Sequence, residues 1–210
     1  MSEENKDALA IASAHLYLIR AHMESLHKLL YQLKRERYSN LYISLIRRGA
    51  LDIRLIIEEM MHLSVSSHVH AGKEVSKTLR REWNAAKKMR KLRDLNPNFF
   101  PDAVSLVDPG EAGVAFKIVS VEEDYLTADK ATYYYDWCSK YLHATHNHIS
   151  EEECKHSLFE ISLFFKLTER LLRQFEVDIS GTGVVVLGQL DLGNERGPTL
   201  GYAGGKVGDS

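Results

Sequence analysis

The chain has 210 residues, 44% of them hydrophobic and 27% charged. That balance excludes a disordered chain and supports a packed core without disulfides. The formal net charge is −2, too small to imply a nucleic-acid or membrane partner, so any electrostatic signal must come from local clusters.

Residues 5–36 read as one long helix, with Leu9, Ala12, Leu16, Ile19, Met23, Leu26, Leu30 and Leu33 spaced by three and four. After a polar break at 35–40, a second helix is predicted over about 40–67. It is apolar on more than one face, which suits a central position or a dimer contact. Gly49 and Ala50 would let a neighbouring helix approach closely. A third helix covers about 74–95, with Leu79, Trp83, Ala86, Met89 and Leu92 as its stripe, and Pro97 and Pro101 end it. Residues 102–126 read as irregular, with a short strand or extended cover at 115–121. A fourth helix runs from Thr127 to about His146. Ser150 and Glu153 form a capping box that opens a fifth, ending near Phe175. Residues 184–192 read as a strand within a glycine-rich tail, where nine of the thirteen glycines lie at or after Gly181.

The expected fold is therefore all-α: an antiparallel bundle of about five helices over 1–178, followed by a strand-containing arm over 179–210. Cys138 and Cys154 match no disulfide framework and no zinc spacing, so neither a metal nor a cofactor is expected. No stretch reaches the roughly 18 apolar residues of a membrane span, and no basic-then-apolar leader follows Met1. The expected location is the cytoplasm.

Three clusters could carry chemistry. Residues 77–94 hold an excess of six positive charges, and Arg80, Arg81, Lys87, Lys88 and Lys91 are the candidates for gripping nucleic-acid phosphates. A solvated helix face accounts for the same run. His143, His146 and His148 crowd a predicted helix end, where the negative end of the dipole favours imidazolium. Such histidines suit acid–base work, and equally serve as surface groups. Arg48 and Asp52, four apart, can pair on one helix face or hold an anion.

Residues 45–52, 82–87, 96–101 and 135–144 resemble segments of an uncharacterised bacterial all-helical family. More distantly, the arrangement resembles the HEPN superfamily (higher eukaryotes and prokaryotes nucleotide-binding), helical bundles that are often dimeric. Many are metal-independent endoribonucleases of bacterial defence and toxin systems. Their signature is an arginine, four to six residues, then histidine; here Lys140 precedes His146 with five residues between them. The resemblance implies RNA as substrate, a homodimer, and catalysis by His143, His146, Lys140 and Arg48. The competing expectation is a non-catalytic dimeric interaction subunit, whose 184–192 strand pairs with a partner's sheet.

Overall fold

The computed structural model describes residues 3–70, 75–80, 82, 85–110, 115–142, 149–179, 183–192 and 197–204. Helix α1 (Glu3–Leu33) and helix α2 (Asn40–His70) form a long antiparallel hairpin. The predicted stripe of α1 faces inward, with Ala12, Leu16, Ile19, Met23, Leu26 and Leu33 all buried. Helix α2 is the axis of the fold and packs against α1, α5, α6, α4 and the sheet. Most of its apolar residues are buried within the chain, while Leu41 and Leu51 stay exposed. At Gly49 a methyl group would come within 2.9 Å of Ile161 and 3.3 Å of Leu29. The missing side chain lets α6 and α1 close on α2 there.

The helix expected over 74–95 is divided into a short α3 (Lys77–Arg80) and α4 (Ala85–Leu95). Asn96 ends α4 and is fully buried. Its amide nitrogen lies 2.6 Å from the Asp178 carbonyl and 3.0 Å from His68 Nε2, and its oxygen accepts from the Asn98 amide. His68 Nδ1 faces the Ser64 carbonyl at 2.8 Å, which assigns the proton to Nδ1 and leaves Nε2 to accept. This network ties α2, α4 and the sheet together. Helix α5 (Ala128–Leu142) and helix α6 (Glu151–Arg173) complete the helical layer. The capping box at Ser150 and Glu153 has both reciprocal bonds.

The all-α expectation is overturned. Helices make up 64% of the described residues, but a five-stranded antiparallel sheet supplies another 15%, so the fold is mixed with helices dominant. Strands β1 (Asp102–Val107), β2 (Lys117–Ser120), β3 (Phe175–Ile179), β4 (Val184–Gln189) and β5 (Thr199–Gly204) lie in the order β2-β1-β3-β4-β5. The sheet joins the segment between α4 and α5 to the C-terminal segment, and the expected boundary at 178 falls inside β3. Phe175, Val177, Ile179 and Val186 turn into the same core as the helices. Gly188 sits opposite Phe175, where an added methyl group would lie 2.1 Å from the ring. The ring thus fills the space over the glycine.

The proposed use of residues 184–192 as a pairing edge also needs correction. β4 is bonded to β3 on one side and β5 on the other, so both its edges are taken within the chain. Among the described residues, no helix is long and apolar enough to cross a membrane.

Candidate functional site

The sequence Arg54-x-x-x-Glu58-Glu59-x-x-His62 places four polar residues in the otherwise apolar 53–63 stretch of α2. On α2, Arg54 and Glu58 are one turn apart, as are Glu59 and His62. The two carboxylates therefore diverge, Glu58 toward α5 and Glu59 toward α1. Each finds a partner there, as partly buried charges require.

On the α1 side, His15 Nδ1 lies 2.5 Å from Glu59 Oε2. A carboxylate only accepts, so Nδ1 carries the proton and Nε2 is the nitrogen left for proton exchange. The His15 ring stacks on His62, with centroids 5.0 Å apart and planes 16° from parallel. A matching pair lies seven residues further along α1, where His22 Nδ1 is 3.0 Å from Asp52 Oδ1 and Ser25 donates to the other Asp52 oxygen.

From α4, Lys88 reaches inward. It is 1% exposed, and its Nζ lies 3.0 Å and 3.2 Å from the two nitrogens of His62. Burial lowers the Lys88 pKa, opposed by the fields of Glu58, Glu82 and Glu59. Burial, then Lys88, then His15 push His62 down to about 4. His62 is therefore neutral at physiological pH.

On the α5 side, the Arg54 guanidinium bonds Glu58 at 3.1 Å and donates to the Tyr135 hydroxyl at 2.8 Å, lying over that ring at 4.6 Å. The Tyr135 hydroxyl donates in turn to Glu58 at 3.1 Å. Burial opposes the Arg54 charge, but the Glu58 bond and Tyr135 outweigh it and hold its pKa above the ordinary value. One turn further, the Cys138 thiol is buried and burial pushes it well up, so it is no thiolate nucleophile. The arrangement is a histidine–carboxylate pair, a neutral histidine, a buried ammonium and a guanidinium, drawn from α1, α2 and α4, with Tyr135 of α5 fixing the guanidinium.

The sequence candidates are distributed differently. His143 and His146 lie outside the described residues, as does Arg81. Lys140 is exposed in the last turn of α5. Arg48 is exposed and turns to Ser25 of α1 at 3.4 Å, while Asp52 pairs with His22 instead of Arg48. Arg54, six residues on, is the α2 arginine that meets α5. Of the basic-helix candidates, Lys88 belongs to the interior and cannot be part of an outer phosphate-binding face. Lys91 pairs with Glu82 at 3.0 Å. Arg80 is exposed and bonds the Val75 carbonyl, and Lys87 is exposed. Periodicity carried a signal for Lys88, because it stands three residues after Ala85 and four before Leu92, both buried. The His15 partnership had no local signal, since it spans 44 residues.

Among the described residues, no group of three or more His, Cys, Asp or Glu is placed to hold a metal ion. No protein-family model matches this chain, and neither a curated protein nor a solved structure does so.

Proposed function

We propose that the protein is an RNA-binding, metal-independent endoribonuclease of the HEPN-like kind, with its acid–base centre at the α1–α2–α4–α5 cluster. One observation carries the reading: His15, 19% exposed at its side chain and fixed by Glu59, stacks on His62, whose ring nitrogens lie 3.0 Å and 3.2 Å from the buried Lys88 ammonium. A base oriented by a carboxylate is the arrangement that proton abstraction needs. His15 Nε2 accepts the proton of a ribose 2′-hydroxyl as the 2′ oxygen attacks phosphorus. The P–O5′ bond breaks, and the departing oxygen takes a proton from His143 or His146, the histidines singled out by the sequence. The field of Lys88, beside the His62 ring on which His15 stacks, offsets the charge that gathers on phosphorus. The exposed Arg80, Lys87 and Lys140 hold flanking phosphates. Such a protein belongs to a defence or toxin system.

Cleavage of single-stranded RNA in chelator tests this, comparing the wild type with His15→Ala, Glu59→Gln and His143→Ala/His146→Ala. The expected result is wild-type cleavage, with His15→Ala slower by about a hundredfold or more. Glu59→Gln should lose less, because a neutral amide still orients the ring. Wild-type protein inert from about pH 5.5 to 8, or His15→Ala cleaving at the wild-type rate, rejects the proposal.

A further inference from the structure

Strand β1 joins β3 only at Asp102 and Ala103. From Val104 to Val107 it pairs with β2, over Ser120 to Lys117. The distal part is thus a two-stranded ribbon that runs beyond the main sheet. Alternation puts Leu106 and Ile118 on one face and Val107 and Val119 on the other. They are 37%, 37%, 46% and 47% exposed in that order. An isolated two-stranded ribbon is marginal in water, and this one is apolar on both faces. β2 is also the end strand of the sheet, with all four of its residues exposed. An end strand of this kind is a template for one more strand.

The charges around β2 identify that strand. Lys117 opens it, and Glu122 and Glu123 follow its end. Parallel pairing with an identical strand would set like charges side by side. Antiparallel pairing about Ser120 sets Lys117 across from Glu123 at both ends, with Val119 across from Val121. Glu123 already lies 3.5 Å from Arg170, so Lys117 of the other copy would extend that pair. A twofold axis through the Ser120 pair closes the arrangement and leaves no further copy to add.

We propose that β2 is a homodimerisation edge, pairing antiparallel with β2 of a second copy to make a continuous ten-stranded sheet. This stands apart from the ribonuclease reading, since it uses none of the catalytic cluster. Light scattering across micromolar concentrations should show a dimer. Val119→Lys should be monomeric with an unchanged circular dichroism spectrum, because the residue is largely exposed. Ser120→Cys should form a disulfide-linked dimer on mild oxidation, since opposed residues of an antiparallel pair lie about 4.5–5.5 Å apart, within disulfide range. Cys138 and Cys154 are buried and should not cross-link the wild type. A monomeric wild type overturns the proposal. So does a dimer that Val119→Lys leaves intact, or one in which Ser120→Cys fails to cross-link.

Discussion

Acid should destabilise this protein through His62 before general carboxylate titration is complete. The unfolded ring takes a proton near its ordinary value of 6.5, while the folded one resists until about 4. Between those values the unfolded state binds more protons, so stability falls as pH falls. A shift of that size corresponds to about 3 kcal/mol at most, at about 1.4 kcal/mol per unit. The stabilisation is fully present above the unfolded value and lost below the folded one. Urea unfolding of the wild type and of His62→Gln, at about pH 7 and pH 4, isolates it, because other titrating groups cancel in the comparison. The wild type should lose about 2–3 kcal/mol more than the variant over that interval. Lys88→Met removes the second cause of the shift and should reduce the wild type's excess loss. Equal losses in wild type and His62→Gln would refute the burial and charge argument for this ring.

Gly188→Ala should cost about 3 kcal/mol or more in urea unfolding, because its methyl group meets the Phe175 ring at 2.1 Å and the buried ring has nowhere to go. A loss under about 1 kcal/mol would show that Phe175 repacks freely. Asn96→Ala removes a partner from His68, Asp178 and Asn98 at once. It should cost about 3 kcal/mol or more, at about 1–3 kcal/mol for each buried group it strands. A near-neutral effect in thermal unfolding would count against the network as a structural tie.

The helices were legible because each buries a stripe that repeats every three or four residues. The α6 start was legible down to the Ser150–Glu153 box. The sheet was not, for local reasons. β3 is five residues long and follows α6 with only Gln174 between, so Phe175 read as the end of the helix and the alternation of Val177 and Ile179 was too short to mark a strand. β1 pairs with β3 across more than seventy residues, a contact no window on the sequence contains. β4 was visible as a strand, but without β3 and β5 as recognised neighbours it looked like a free arm. Much the same happened at the site. Lys88 was counted among the charges of a basic helix, although its place between Ala85 and Leu92 put it on the buried face. Glu58, Glu59 and His62 carry no local pattern of a site, and the partners His15 and Tyr135 come from distant stretches of the chain.

The most direct test of the account is the chemistry of the RNA ends left by wild-type protein in excess chelator. The account predicts 2′,3′-cyclic phosphate and 5′-hydroxyl ends, lost when a single 2′-deoxy nucleotide replaces the ribose at the cut. Intact RNA, or products ending in 3′-hydroxyl and 5′-phosphate, would contradict it.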